Sequence, residues 1–468
     1  MRYLLTIISF LCIHGAYAQH KINGYVRSNG QGIEGVVVNV GLQSTLTNAK
    51  GYFQLSTFQD DKFVQISTPA GYVPENNGSM PLYYLTLSQG KHQYNFNLVK
   101  LKTSDLKHKI IVQTDVQVAN EDDISQYQKS IIPDIISTIA NDGKDHWFGI
   151  DLGDMVGDDP KLMPKYEYVM RNVNLPFYRL IGNHDMAYWG RTHETSEKHF
   201  NNNFGPTNYS FNKGNVHYIA INNNFYVGRD YFYMGYIDEK TFKWLEQDLA
   251  HVDKSKTIFL MMHIPSRLEV SKPAFSYNYS FLGGNTINAD VLYELIKEYK
   301  VHILSGHTHQ NLNIVHNNNL IEHNIAAASG SWWDLSLCTD GTPRGYRVFH
   351  IDGDDVRWYY KSQGYPKEYQ SRSYIDSTGI LISNVWNYDD KWKVEWYEDN
   401  KYMGELKQFT GQDQYVVELC KDRSKIRYGW IAASNSKHLF KTELTNSNSQ
   451  VHVKITDRFG IEYIEKLK

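Results

Sequence analysis

The sequence predicts a layered α/β core set between two all-β, sandwich-like domains. Three observations predict it: short alternating runs broken by turn residues over 19–104, alternating strand and helix patterns over 105–330, and a return to short β runs over 331–468. A leader precedes them. Residues 1–18 hold one Arg, then an apolar run from Tyr3 to Ile13, then Ala16-Tyr17-Ala18 before Gln19, the pattern of a secretory signal peptide. That run is too short to span a bilayer, and no later stretch reaches the ~18 uncharged apolar residues a membrane helix needs. The expectation is therefore a secreted protein of the periplasm or cell surface of a bacterium, with no transmembrane segment. Loss of Arg2 with the leader changes the formal net charge from −3 to −4, which gives no sign of a nucleic-acid-binding surface. Past Cys12 in the leader only Cys338 and Cys420 remain, too few for a disulfide framework.

Each element follows from local pattern. In 19–104 the runs INGYV, VVVNV, YFQLS and VQIST are separated by SNGQG and TNAKG, the signature of a small β-sandwich. This segment has no cluster of His, Asp or Cys and so carries no chemistry. Its TNAKGYFQL stretch resembles the Ig-like domains that precede catalytic domains in secreted bacterial hydrolases. From Ile110 the pattern changes: IIVQTD reads as a strand, and Ile124, Tyr127, Ile131, Ile135 and Ile139 fall on one helical face after it. The alternation continues through WFGID, KLMPKYEYVMRNV, YRLIG, EKTFKWLEQDLAHV, TIFLMMH, ADVLYELIKEY and VHILSG. Within it NYSFNKGNVHYIAINN reads as a hairpin turning near Lys213 and Gly214. Beyond Ser331 helical periodicity is gone, and YRVFHI, VRWYYK, KVEWYE and VHVKITD suggest a second sandwich to the end.

The residues with chemistry sit directly after predicted strands of the α/β segment, where open sheets gather functional groups. Asp115 and Gln117 follow IIVQT, and Asp154 follows WFGIDLG. Asn183, His184 and Asp185 follow YRLIG, His263 follows TIFLMM, and His307 and His309 follow VHILSG. Carboxylates, amide oxygens and imidazoles without a thiolate suit divalent transition ions, Mn, Fe or Zn. A shared carboxylate allows two such ions to lie side by side and clamp a phosphoryl group.

In order and spacing, Asp115, Gly153-Asp154, Gly182-Asn183-His184-Asp185, His263 and Gly306-His307-Thr308-His309 resemble the calcineurin-like metallophosphoesterase superfamily. FGPTNYSFNKGNVHYIAIN and MMHIP resemble its secreted bacterial branch with N- and C-terminal β domains. The resemblance implies an αββα core over 105–330 and a secreted phosphatase or phosphodiesterase with a dinuclear metal centre. It implies that Asp115 and His309 hold one metal, that Asn183, His263 and His307 hold the other, and that Asp154 bridges. It further implies attack on phosphorus by a metal-bridging hydroxide, with His184 assisting the leaving group and Asp185 orienting His184. Two positions depart from the pattern. Gln117 stands where the superfamily usually has His, which weakens the first site or hardens its metal preference. Gly157 stands where purple acid phosphatases have Tyr, which argues against a purple ferric enzyme.

Read singly, the Gly-Asn-His-Asp segment fits an ordinary turn as well as it fits a site, and Gly-His-Thr-His fits a surface loop with two imidazoles; their conjunction at five strand ends carries the functional reading. His193, His199, His217, His251, His316 and His323 fall outside that pattern and read as structural. Arg267 and Trp333 are candidate substrate contacts: the first has a fork suited to oxyanions, and the second, with Trp332, either offers a stacking surface for a sugar or base or fills the junction with the C-terminal domain. The substrate is a phosphoester, with envelope glycan or lipid headgroups as further partners. The alternative is a catalytically weak envelope binding protein whose β domains recognise glycans, a reading that Gln117 favours.

Overall fold

A computed structural model describes residues 20–143, 145–229 and 232–467. The signal peptide expected at 1–18 lies outside the described residues. Two β-sheets stacked face to face form the core. The first runs in the order Phe177–Arg179, His146–Asp151, Lys107–Gln113, Gly345–Asp352 and Asp355–Ser362. The second runs Tyr209–Lys213, Val216–Ala220, Thr257–Met261, Lys300–Ser305, Leu320–Asn324 and Leu312–Asn317. The strands that end at candidate site residues are parallel within each sheet, so their carboxyl ends emerge together.

Aromatic side chains fill the space between the sheets. Tyr178 stacks on Phe211 at 3.8 Å between centroids, Phe148 meets Tyr218 edge-on at 5.4 Å, and Phe259 meets Phe349 at 5.5 Å. Helices cover both outer faces. Glu121–Asn141 buries Ile124, Tyr127, Ile131 and Ile135, with Ile139 partly buried, against the first sheet. Glu239–Leu249 and Ala289–Ile296 bury Trp244, Leu245, Leu292 and Ile296 against the second. The result is the four-layer αββα core expected from the sequence. Asn120 and Asp238 cap two of these helices by accepting from Asp123 N at 3.0 Å and Thr241 N at 2.7 Å. The expected hairpin is present, with Lys213 paired to Val216 across the turn.

One expectation is corrected. YRVFHI and VRWYYK, read as part of the C-terminal β domain, form Gly345–Asp352 and Asp355–Ser362 and extend the first core sheet, the former antiparallel to Lys107–Gln113. An apolar alternating run shows that it needs a sheet, not which sheet it joins.

Residues 20–101 form sheets of five and four strands and a two-stranded ribbon, Asn76–Asn77 with Met80–Pro81. They dock on the core through Tyr83, which meets Tyr178 and Tyr209 at 5.8 and 4.7 Å, and through Asn212 N donating to Thr68 O at 2.8 Å. Two four-stranded sheets make up the C-terminal unit; KVEWYE and VHVKITD supply adjacent strands of one of them. It also holds the helix Gln414–Lys421, which the sequence did not announce. Asp413 starts that helix by accepting from Tyr415 N and Val416 N. Cys338 is buried, Cys420 is half-buried, and both are free thiols.

Candidate metal centre

Asp115, Asp154, Asn183, His184, His263, His307 and His309 all lie just past the carboxyl ends of core strands. The backbone there is unusually bent. Asp115, Gln117, Asp154, Asp158, His307, His309, Trp332 and Trp333 all have positive φ, between 42° and 71°, a region that residues other than Gly seldom occupy. Two glycines make the close approach possible. A Cβ at Gly153 would lie 2.7 Å from Gly182 N and 2.8 Å from His263 Nδ1, and one at Gly306 would lie 1.9 Å from Thr114 Oγ1.

Side chains converge on two adjoining points. At the first, Asp115 Oδ1 lies 3.3 Å from His309 Nε2. At the second, His263 Nε2 lies 3.0 Å from Asn183 Oδ1 and 3.2 Å from Asp154 Oδ2. Gln117 Nε2 donates to the same Asp154 Oδ2 at 3.1 Å, so this oxygen sits between the two groups. Ligand atoms of Asp154, His263 and His307 all lie within 4.8 Å of one another. Asp115 Oδ1 and Gln117 Oε1 are buried and have no hydrogen-bond partner. Orphaned buried acceptors are costly unless a cation or proton satisfies them. With carboxylate, amide and imidazole donors beside them, the residues fit divalent metal ions. The imidazoles are also aimed from behind: His263 Nδ1 donates to Leu152 O at 2.8 Å and His309 Nδ1 to Gly330 O at 3.3 Å, turning each Nε2 inward.

Electrostatics of the cluster follow from its carboxylates. Burial disfavours a charged His263, but Asp154 and Asp115 outweigh it and raise its pKa to about 9. Burial likewise opposes charge on Asp154 and Asp115, yet the imidazoles beside them hold both below the usual carboxylate range. His307 is pushed down to about 4 by burial and then by charge on His263.

His184 stands at the edge of the cluster. Its backbone N donates to Asp154 Oδ1 at 2.8 Å, and its Nδ1 donates to Asp158 Oδ1 at 2.7 Å. Burial opposes its protonation, but Asp154 and Asp158 together raise its pKa to about 9. The expectation that Asp185 orients His184 is corrected. Asp185 accepts from Met155 N, Val156 N and Gly182 N, at 3.0, 3.2 and 2.9 Å, which occupies both its oxygens and ties the Gly182 turn to the Asp154 loop. Asp158 is the imidazole's partner. It lies four residues after Asp154 in GDMVGDD, which was the available signal for it.

Both expected substrate contacts fall elsewhere. Arg267 pairs with Asp290 and lies over Tyr293 at 5.2 Å, lining a separate hollow, because the chain after Pro265 turns away from the cluster. Trp333 is 4% exposed: its Nε1 donates to Val116 O at 2.7 Å and its ring meets Tyr127 at 6.1 Å, so it is core packing beneath the site. Trp332 instead reaches the surface and stacks on His309 at 4.2 Å.

A cleft of about 1020 Å³ opens over Asn183, His184 and Asp158. Tyr188, Trp189, Tyr233, Tyr279, Trp332 and Trp430 line it, and Arg229 and His199 lie on its rim. Most of these residues come from irregular segments or from the C-terminal unit, where no periodicity marks them. His199, read as structural, is among them.

Beneath the site a buried charge network joins the domains. Arg179 Nε pairs with Asp151 Oδ2 at 3.1 Å, and its Nη2 with Glu167 Oε2 at 2.8 Å and Ser79 Oγ at 2.5 Å. Asp151 and Arg179 precede the Asp154 and Asn183 turns by three and four residues, so this network braces two turns of the cluster from below.

Three family models match the chain in succession: N terminal of Calcineurin-like phosphoesterase over residues 20–101, Calcineurin-like phosphoesterase over 108–311, and C terminal of Calcineurin-like phosphoesterase over 322–463. No curated protein matches by sequence. Among solved structures, a dimetal phosphatase from Danio rerio is similar at 12% identity, covering 55% of this chain and 97% of that one, with a TM-score of 0.39. Purple acid phosphatase PPD1 from yellow lupin is similar at 13% identity, with 70% and 67% covered and a TM-score of 0.41. A 5'-nucleotidase from Candida albicans is similar at 13% identity, with 56% and 52% covered and a TM-score of 0.33. Likeness at this level concerns the fold alone.

Proposed function

The chain belongs to the calcineurin-like phosphoesterase family and is a metal-dependent phosphoesterase, and from that premise we propose that it hydrolyses a phosphomonoester or phosphodiester outside the cytoplasm. The observation that carries the proposal is the pair of buried oxygens that accept no hydrogen bond, Asp115 Oδ1, 3.3 Å from His309 Nε2, and Gln117 Oε1, beside Asp154. Asp115, His309 and the Gln117 carbonyl oxygen would hold one Mn, Fe or Zn ion, and Asn183, His263 and His307 a second, with Asp154 shared. When bound, such ions supply positive charge to the phosphoryl oxygens and acidify a water for attack.

The protein's own groups do the rest. Leu152 O and Gly330 O fix the tautomers of His263 and His309. Asp158 accepts a hydrogen bond from His184 Nδ1, so that Nε2 faces the cleft, 4.0 Å from Asp154 Oδ2. Asp158, by accepting from Nδ1, favours the protonated imidazole, and His184 donates its Nε2 proton to the leaving oxygen.

The binding-protein alternative rests on Gln117. Its amide nitrogen is already spent on Asp154 and its oxygen is left over, an orientation that suits an amide-oxygen ligand and supports the enzymatic reading. Export follows from the leader in the same proposal; mature protein from its native source should begin at Gln19, and an intact Met1 would refute export. Glycan or lipid headgroups on the envelope remain partners proposed for the flanking sandwiches.

The experiment uses metal-stripped protein, p-nitrophenyl phosphate and bis-p-nitrophenyl phosphate, with Mn, Zn, Fe or Mg added back separately. Turnover should return with Mn, Fe or Zn, vanish in Asp154→Ala, and fall about 10²- to 10⁴-fold in His184→Ala. Full activity after strict chelation, or in Asp154→Ala, would overturn the proposal.

A further inference from the structure

The aromatic lining of the cleft does no work in the chemistry just described, and its make-up is selective. Trp332 and Trp430 meet at right angles, with centroids 6.1 Å apart, and form a corner beside the metal cluster. His309 covers one face of Trp332 at 4.2 Å, and Tyr428 backs Trp430 at 4.4 Å. Even so, Trp430 stays 64% exposed. Across the cleft Trp189 is 75% exposed and carries the Arg229 guanidinium at 3.7 Å from its ring centroid. Among the described residues, Met186, Ala187 and Pro160 are the only aliphatic side chains in the lining.

Trp430 belongs to the C-terminal unit, and its position is enforced. Arg427, three residues earlier, donates Nη2 to Trp332 O at 2.6 Å and Nε to Asp334 Oδ1 at 2.6 Å, and its Nη2 pairs with Asp123 Oδ1 at 3.0 Å. Asp123 lies in the first turn of Glu121–Asn141, so a single guanidinium clamps three segments together. A surface loop with only a covering role needs no such anchor.

Resting on the phosphoesterase reading, we propose that the Trp332–Trp430 corner is a leaving-group subsite for a flat-faced ring, a nucleoside or a hexose, joined to the phosphoryl group. Indole faces stack on nucleobases and on the apolar faces of sugars. An acyl chain would call for branched aliphatic walls, which the lining lacks. A cleft of about 1020 Å³ is also far larger than a small alkyl alcohol requires. The C-terminal unit is then part of the catalytic unit, because the subsite is incomplete without Trp430.

The test compares kcat/KM of the full-length, metal-loaded enzyme on a nucleoside monophosphate, a hexose phosphate and glycerol phosphate. Either ring substrate should exceed glycerol phosphate by about tenfold or more, and Trp430→Ala should lower that ratio about tenfold through KM, with Trp430→Phe restoring part of it. Which ring substrate leads identifies the source of the ring. Quenching of tryptophan fluorescence by the free nucleoside or hexose, lost in Trp430→Ala, gives a readout independent of turnover. The exposure of Trp430 lets both variants fold. A ratio near one in the wild type, or an unchanged ratio in Trp430→Ala, overturns the subsite while leaving the phosphoesterase intact. Absence of turnover on all three substrates and on both nitrophenyl esters overturns the phosphoesterase reading itself.

Discussion

Replacing Arg179 with Met tests how the site is braced. The guanidinium is 2% exposed and is the cation for two carboxylates, Asp151 and Glu167, that are themselves 2% and 7% exposed. It also supports Ser79 from the N-terminal sandwich and lies over Phe204 at 5.1 Å. Met keeps much of the volume but leaves buried Asp151 with hydrogen bonds from Gln113 and Tyr166 and no counter-charge, and buried Glu167 with only the half-exposed Arg171. Breaking a buried pair in this way costs about 3–5 kcal/mol, a large share of a net stability of about 5–15 kcal/mol. Burial already holds Asp151 above the usual carboxylate range, and Arg179 is the main group opposing that rise, so its loss pushes Asp151 further up. Differential scanning calorimetry at pH 7.5 should show Tm lowered by on the order of 10 °C. Metal retained per chain after gel filtration should fall too, because Asp151 and Arg179 lead into the Asp154 and Asn183 turns. Arg179→Lys keeps one charge but loses the fork and should fall between the two. A Tm within about 2 °C of wild type, with full metal retention, would refute the bracing argument.

Three further outcomes are expected. Gln117→Ala should release its metal at lower chelator concentration than wild type, while Gln117→His should hold metal more tightly; equal release by all three proteins, followed by atomic absorption, would remove Gln117 from the ligand set. Trp333→Ala should cost about 3–5 kcal/mol by urea unfolding, whereas Arg267→Ala should leave kcat/KM within about twofold, since Arg267 lines a separate hollow and does not line the cleft; the reverse ranking would restore the substrate roles first read from sequence. Burial lowers the pKa of His108 to about 4 and of His302 to about 3, against about 6.5 in the unfolded chain. The unfolded state therefore binds more protons, so stability is complete above pH 6.5 and falls by about 1.4 kcal/mol per pH unit per histidine on acidification towards pH 4. Urea midpoints between pH 7.5 and 5 should show this slope, and His108→Gln should flatten it; an unaltered slope would exclude His108 as a contributor.

Much of the site was legible because each candidate ligand follows a strand with a plain apolar signature. IIVQT, WFGID, YRLI, TIFLMM and VHILS mark where the chain stops, and the residue after the stop is where chemistry collects. Contacts between segments far apart in sequence were not legible. Asp158 rather than Asp185 holds His184 because three backbone amides claim Asp185, and nothing in Asn-His-Asp announces which groups those amides will face. Gly345–Asp352 joins the core sheet by pairing with a strand more than 230 residues earlier, through an alternation that any sheet would accept. Trp430 reaches the cleft only because Arg427 finds Asp123 and Asp334, a pairing with no local mark.

The left-handed backbone at eight positions around the cluster has a consequence for anyone who wishes to transplant this chemistry. Each such residue costs roughly 1–3 kcal/mol, so the set together stores an amount on the order of a whole domain's net stability. Glycine would relax every one of them, yet at Asp115, Asp154, His307 and His309 glycine would delete the side chain that the bend exists to present. The four-layer core and its two docked sandwiches are therefore the ballast that keeps a tensed set of loops from springing open. Grafting the same residues onto a smaller, idealised scaffold should yield loops that relax and ligands that splay, unless the scaffold brings a comparable surplus of burial.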